Sequence, residues 1–183
     1  MPNYPAISAP SDVRIPDVHV PDAHVSDVHV NVAESATRIG NGIMSAVGLG
    51  SCVALMLYDR AARVGAMAHI LLPHEALSRV PGGAAKYGSS AVPHLLQSMR
   101  ALAVIGAPVA SLVGGASMFA TLLKVGGINM GERNVDAVRR ALAIAGIAIE
   151  AEDVGGEYGR SIFFDVATGQ VRVVSIQHGE RIL

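Results

Sequence analysis

Short apolar runs alternate with glycine- and proline-containing breaks along most of this 183-residue chain. Runs of this length, bounded by turn residues, are typical of buried β-strands. Two of them flank the glycine-rich segment 48–51, and two more flank the turn-forming segment 167–170. The pattern predicts strands at residues 43–47, 53–58, 63–72, 109–113, 147–150, 161–166 and 171–176.

Two longer segments carry apolar residues at the three- and four-residue spacing of an amphipathic helix. The first spans residues 89–102, with Pro93 near its first turns, where a proline is tolerated. The second spans residues 132–145 and is followed by Gly146, a residue suited to the left-handed position after a helix. Because helices and strands interleave, we predict a layered α/β domain.

The start of the chain follows a different rule, a repeat of five residues with the pattern Pro/Ser, Asp, Val/Ala, His/Arg and Val/Ile. Asp and His of one unit point the same way in an extended chain, so they offer a weak divalent-metal site. We favour a proline-spaced extension without chemistry, because successive units present opposite faces. The repeat units are residues 11–15, 16–20, 21–25 and 26–30. We predict an extended or disordered leader at 1–31 and a folded domain at 32–183.

Amino-acid composition and net charge argue against some classes of function. Apolar residues form 51% of the chain and the net charge is −1, so nothing favours binding to nucleic acid or to an anionic membrane. With a single cysteine and no secretory signal pattern at its start, the chain is expected to be cytoplasmic. The uncharged stretch 101–123 is long enough to span a bilayer, but Pro108 and the pair Gly114-Gly115 interrupt it. We therefore predict no membrane insertion.

The single cysteine, Cys52, directly follows Gly48-Leu49-Gly50-Ser51. Glycines allow tight backbone angles that leave the N–H groups of Gly50, Ser51 and Cys52 free to lower the thiol pKa and to bind an oxyanion. His69 ends the next apolar strand, and pairing of the two strands would bring its imidazole within reach of the thiol as a base. On spacing alone, a core cysteine and a structural histidine remain open alternatives.

Several separated motifs, in the same order, resemble the chemoreceptor glutamine deamidase family, known as CheD. The likeness runs from about residue 32 to residue 176, so the leader lies outside it. The two motifs that carry the candidate site are Gly48-Leu49-Gly50-Ser51-Cys52 and Gly65-Ala66-Met67-Ala68-His69. Further motifs lie at 53–55, 57–59, 72–73, 86–88, 114–119, 131–135, 151–156, 159–161 and 168–169.

This resemblance implies a three-layer α/β/α sandwich with mixed β-sheets. It implies that Cys52 is the nucleophile and His69 the general base of a protein-glutamine glutaminase that needs no metal or organic cofactor. The implied substrates are glutamine side chains on the cytoplasmic domains of methyl-accepting chemotaxis receptors, and some members of the family also cleave receptor methyl esters. A CheC-type phosphatase is the second implied partner.

One position departs from the family pattern. The family places a threonine six residues before the cysteine, where its hydroxyl orients the histidine, and this chain has Ala46 there. Two replacements are open, namely Ser45 brought round by a bulge, or a backbone carbonyl. Without either of them, the alternative function is a catalytically weak or inactive adaptor that binds receptors or the phosphatase.

The remaining candidates are less specific. Gly114, Gly115 and Ser117 are candidates for a substrate cleft, and a tight strand-to-loop turn explains them equally well. Arg133 and Asn134 are expected to form a structural network at the start of a helix. Exposed positions are expected for His74, His94 and His178.

Overall fold

The computed structural model describes residues 27–103, 105–117 and 129–183. Within them, ten strands form two five-stranded sheets, and two α-helices accompany them. In chain order the elements are β1 (Val28–His29), β2 (Ser35–Ile39), β3 (Ile43–Leu49), β4 (Val53–Asp59), β5 (Val64–Ile70), α1 (Gly88–Leu102), β6 (Val109–Gly114), α2 (Met130–Ala145), β7 (Ile149–Val154), β8 (Arg160–Asp165), β9 (Val171–Ser175) and β10 (Gly179–Ile182).

The first sheet, called sheet I here, has the strand order β2-β5-β4-β6-β7. Its central strands β4 and β5 are buried along their whole length. Alternate side chains of β4, such as Val53 and Leu55, pack against α1 and α2, whereas Ala54 and Met56 face the other way. Burial on both faces explains why these strands read as continuous apolar runs in the sequence.

The second sheet, sheet II, has the order β1-β3-β8-β9-β10 and packs against the other face of sheet I. Along β8 and β9, buried residues alternate with half-buried ones, as expected of a sheet that has one face on the core. The predicted α/β class and the mixed sheets are confirmed, because β1–β3 and β6–β7 pair in parallel and the other pairs are antiparallel. In the described part of the chain, the layers run from helices through sheet I to sheet II.

Both predicted helices are present, with small differences at their starts. Helix α2 begins at Met130, two residues before the predicted position, because the side chain of Asn129 caps it by accepting a hydrogen bond from the Glu132 N–H. Gly146 ends it in the left-handed conformation, as predicted. No helix among the described residues is long and apolar enough to cross a membrane.

Three short strands, β1, β2 and β10, were not predicted, and β7 lies at Ile149–Val154 instead of 147–150. All four lie at sheet edges, where few side chains are buried and the apolar pattern is weak. The strand β1 belongs to the last repeat unit of the leader, so the fold includes residues that precede position 32. Residues 1–26, which contain the other three units, lie outside the described residues.

Candidate active site

Cys52 lies in the turn that joins β3 of sheet II to β4 of sheet I. Gly48 adopts a left-handed φ of 73° where the β3–β8 register shifts, and this irregularity starts the turn. The backbone of the turn is held from the end of β6, because Gly50 O accepts from Ala116 N and Cys52 O accepts from Gly115 N, both at 2.8 Å. The segment that carries the sulfur is therefore fixed at both sides of Ser51.

Gly114 and Gly115 belong to this support. Both have positive φ values, and a Cβ on Gly114 would overlap the carbonyl oxygen of Cys52. A Cβ on Gly115 would overlap the side chain of Val135 on α2. Close approach of backbone to backbone thus requires glycine at both positions.

A cavity of about 490 Å³ lies beside this turn. Gly115 and Ser117 are in its wall, together with α2 residues such as Asp136. Cys52 and His69 are not among the described residues that line it. The structure therefore separates the cleft candidates from the candidate chemistry, although the Gly114-Gly115 turn touches both.

His69 lies on β5, directly opposite Ala54 of β4. Paired residues of antiparallel strands share a face, and residues two apart on one strand also share it. Cys52 precedes β4 and packs against the cluster between the two sheets that also contains Ala54, so the thiol lies on the same side of sheet I as the imidazole. Such diagonal neighbours typically have Cα atoms about 7–8 Å apart, which long side chains can bridge.

The imidazole of His69 is only 3% exposed, and its Nδ1 lies 3.2 Å from the carbonyl oxygen of Val30. A carbonyl only accepts hydrogen bonds, so Nδ1 carries the proton and Nε2 presents its lone pair. Nε2 is buried and has no hydrogen-bond partner within the described ranges. The thiol of Cys52 is therefore not hydrogen-bonded to it. The ring is therefore oriented by one nitrogen and open for base chemistry at the other.

Burial shifts both groups toward their neutral forms. It lowers the pKa of His69, and the nearby charge of His29 adds to this effect, whereas the hydrogen bond that the ring donates to Val30 O opposes it. Burial also raises the pKa of the Cys52 thiol, and the cysteine's own amide compensates only in part. The expectation that the turn amides leave a lowered thiol pKa is therefore wrong. The resting site holds a neutral thiol beside a neutral imidazole.

The amides of the turn remain available for another purpose. In the described structure, the N–H groups of Gly50 and Ser51 have no hydrogen-bond acceptor, and the N–H of Cys52 contacts only its own thiol. Unpaired amides next to a sulfur are the arrangement that stabilises the oxyanion of a tetrahedral intermediate.

The structure does not bring Ser45 to His69. The Ser45 hydroxyl lies 3.3 Å from Nδ1 of His29, and Ala46 is fully buried in the core between the sheets. The acceptor at His69 is thus a backbone carbonyl, one of the two replacements left open by the sequence.

Asn134 on α2 has a role that the sequence only hinted at. Its side chain is fully buried, and Nδ2 donates to the carbonyls of Ser51 (2.8 Å) and Leu71 (3.0 Å). It thereby ties the residue before Cys52 to the segment two residues after His69. The signal for this role in the sequence is an asparagine on the apolar face of a helix. The neighbouring residue Arg133 is exposed.

Other histidines lie away from this site. His74 and His178 are exposed, as expected, but His94 is half-buried on α1 and contacts the Ser35 hydroxyl at 2.9 Å. Among residues 27–103, 105–117 and 129–183, no group of three or more His, Cys, Asp or Glu side chains has the geometry of a metal site.

Comparison with known proteins supports the resemblance found in the sequence. Residues 71–175 match the family model described as CheD chemotactic sensory transduction. The chain is 40% identical over 152 residues to a probable chemoreceptor glutamine deamidase CheD of Pyrococcus horikoshii, covering 82% of this chain and 93% of that protein. It is 38% identical over 155 residues to the chemoreceptor glutamine deamidase CheD of Thermotoga maritima, with the same two coverages. Less than a fifth of the chain lies outside the match to either of these two relatives, so both matches include Cys52 and His69. The chain therefore belongs to the CheD family.

Proposed function

We propose that this chain hydrolyses glutamine side-chain amides on methyl-accepting chemotaxis receptors, in the cytoplasm, to glutamate and ammonia. The observation that carries the proposal is the position of Cys52 and His69 on the same side of sheet I, beside the Gly50 and Ser51 amides, which have no acceptor among the described residues. The names of the relatives supply the substrate class, since they are chemoreceptor glutamine deamidases.

In the first half of the proposed reaction, Cys52 Sγ attacks the carboxamide carbon of the glutamine. Nε2 of His69 takes the thiol proton as the carbon–sulfur bond forms, because it is the unprotonated nitrogen of the ring. The carbonyl oxygen becomes an oxyanion, which the N–H groups of Ser51 and Cys52 stabilise.

The tetrahedral intermediate then breaks down. His69 returns its proton to the leaving nitrogen, the carbon–nitrogen bond breaks, and ammonia departs, which leaves a γ-glutamyl thioester on Cys52. Nε2 next accepts a proton from water as the water oxygen attacks the thioester carbon. The carbon–sulfur bond then breaks, and His69 returns the proton to Sγ, which re-forms the thiol. The products are glutamate and ammonia. Each proton that is transferred in these steps moves between His69 and Cys52, water or the leaving nitrogen.

A second candidate function is a catalytically weak or inactive adaptor that binds receptors or a CheC-type phosphatase. Two observations favour it, the raised pKa of the Cys52 thiol and the absence of a hydroxyl at Ala46. The phosphatase is a proposed partner in either case.

Mass spectrometry of a receptor cytoplasmic fragment after incubation with the full chain tests the proposal. Each converted glutamine gains about one dalton, as replacement of an amide by a carboxylic acid requires. We expect conversion by the wild-type chain and none by Cys52→Ala, which should still bind the fragment in a pull-down assay. His69→Ala should also lose conversion, whereas His74→Ala, a change at an exposed histidine, should retain it.

Two results would point elsewhere. Binding of the fragment by the wild-type chain without any mass gain supports the adaptor. Conversion that survives in Cys52→Ala rules out the thiol mechanism altogether.

A further inference from the structure

We infer that residues 27–30, the described part of the last unit of the leader repeat, are a working part of the active site, in which the main-chain carbonyl of Val30 positions His69 for catalysis. The inference rests on the proposed function. It also gives a role to a sequence motif that the deamidase reaction itself leaves unexplained.

The unit is attached to β3 by three contacts. The Val30 N–H donates to Ser45 O at 2.8 Å, the Ile43 N–H donates to the Asp27 carboxylate at 3.3 Å, and His29 Nδ1 lies 3.3 Å from the Ser45 hydroxyl. The Val30 side chain is 1% exposed. The Asp and His of this unit therefore serve as docking groups on the strand, and Val30 is its buried anchor.

The chain that follows the unit fixes the carbonyl relative to the imidazole. Ala33 N donates to His69 O at 2.8 Å, and His69 N donates to Glu34 O at 3.0 Å. His69 is thus held through its backbone by residues 33–34 and through its ring by Val30, only three residues earlier. A segment this short leaves the carbonyl little freedom to move away from Nδ1.

The residue at position 46 explains why a carbonyl can take this role. The parallel register pairs Val28 with Met44 and His29 with Ser45, so the next pair is Val30 with Ala46. Both side chains lie in the same buried cluster. A methyl group at position 46 offers His69 no hydrogen bond, which leaves the neighbouring carbonyl as the acceptor that selects the tautomer with a free Nε2.

The repeat itself provides a test. Units 16–20 and 21–25 carry the same residue types at the docking positions, Asp, His and Val, in the same spacing. Deletion of residues 26–30 joins Val25 to Asn31 and brings Asp22, His24 and Val25 to the positions of Asp27, His29 and Val30. We expect this deletion to keep kcat within about threefold of the wild-type value, a change of well under one rate decade.

Substitution of Val30 separates the backbone contact from side-chain packing. Val30→Pro removes the N–H that pairs with Ser45 O, whereas Val30→Ala keeps it and loses only apolar contact. Val30→Pro keeps the carbonyl but loses the hydrogen bond that anchors residue 30 to β3, so the carbonyl can move away from Nδ1 of His69. We expect this variant to lower kcat on the receptor fragment by about 10- to 100-fold with little change in KM. Val30→Ala keeps both backbone hydrogen bonds and loses only apolar contact, so its kcat should fall clearly less than that of Val30→Pro. Thermal denaturation of both variants checks that they fold.

The decisive experiment restores a hydroxyl group at position 46. Ala46→Thr in the Val30→Pro background should recover most of the lost kcat, because it supplies His69 with a new acceptor, and a merely unfolded site would not respond in this way. Equal kcat for Val30→Pro and Val30→Ala, or no recovery by Ala46→Thr, overturns the inference.

A readout that needs no activity keeps the inference separate from the proposed function. ¹⁵N NMR of the His69 ring should show one tautomer, with the proton on Nδ1, in the wild-type chain and in Val30→Ala. Val30→Pro should show a mixture of tautomers. If the wild-type chain fails to deamidate but shows this pattern, the proposed reaction is wrong and the positioning contact stands; a tautomer mixture in the wild-type chain refutes the contact itself.

Discussion

Replacing Gly114 with alanine tests whether the end of β6 supports the Cys52 turn. Gly114 has a φ of 113°, outside the regions that residues with a side chain readily adopt, and the new Cβ would overlap the carbonyl oxygen of Cys52. Backbone strain of this kind costs about 1–3 kcal/mol. Displacement of that carbonyl also breaks its hydrogen bond with Gly115 N, which contributes about 1 kcal/mol. We expect the free energy of unfolding to fall by roughly 2–4 kcal/mol in total.

Gly146→Ala is the matched control. Gly146 also has a positive φ, of 68°, but a Cβ there would meet nothing within 4 Å. This variant should lose only about 1 kcal/mol, the cost of placing alanine in the left-handed region. Urea denaturation followed by circular dichroism measures both losses, and the rate of Cys52 alkylation reports on the turn. Equal losses in the two variants, together with an unchanged alkylation rate in Gly114→Ala, would refute the reasoning.

Three further predictions concern the same site. Asn134→Ala should lower the free energy of unfolding by about 1–3 kcal/mol, because the partly buried carbonyls of Ser51 and Leu71 lose their donor; denaturation of exposed Arg133→Ala is the control, and an equal effect would contradict the bridging role. The acid limb of kcat/KM should lie below the usual imidazole range, because burial lowers the pKa of His69 and the ring must be neutral to accept the thiol proton. Without substrate, alkylation of Cys52 should rise only above the usual thiol range, since burial raises its pKa; a thiol that reacts readily in mildly acidic solution would contradict this reading of the site.

The sequence predicts those parts of the fold in which the pattern of apolar and polar side chains indicates which residues are buried. β4 and β5 are apolar throughout because both faces are covered, and α2 carries its stop signal in Gly146. The side to which His69 points also follows from strand pairing, because a period of two places it with Ala54 on the face toward sheet II. These features need no knowledge of distant contacts.

The features that escaped prediction depend on backbone atoms or on distant packing. The contact between Val30 and His69 is made by a carbonyl, which every residue possesses, so no residue type marks it. Asn134 is recognisable only when the turn at Ser51 is known to lie against α2. The direction of the Cys52 pKa shift depends on how far sheet II covers the sulfur, and the Gly48-Leu49-Gly50-Ser51 motif carries no information about that cover.

The pKa directions of Cys52 and His69 give the proposed reaction a consistent order of events. A raised thiol pKa and a lowered imidazole pKa both disfavour a resting ion pair, so the proton must move while the sulfur attacks and not before. Charge then appears in one step on the substrate oxygen, beside the turn amides that can stabilise it, and on the imidazolium of His69. An imidazolium with a lowered pKa is in turn a stronger acid toward the departing nitrogen, which is the difficult leaving group of an amide. The burial that makes the free thiol less reactive therefore assists the step in which ammonia leaves.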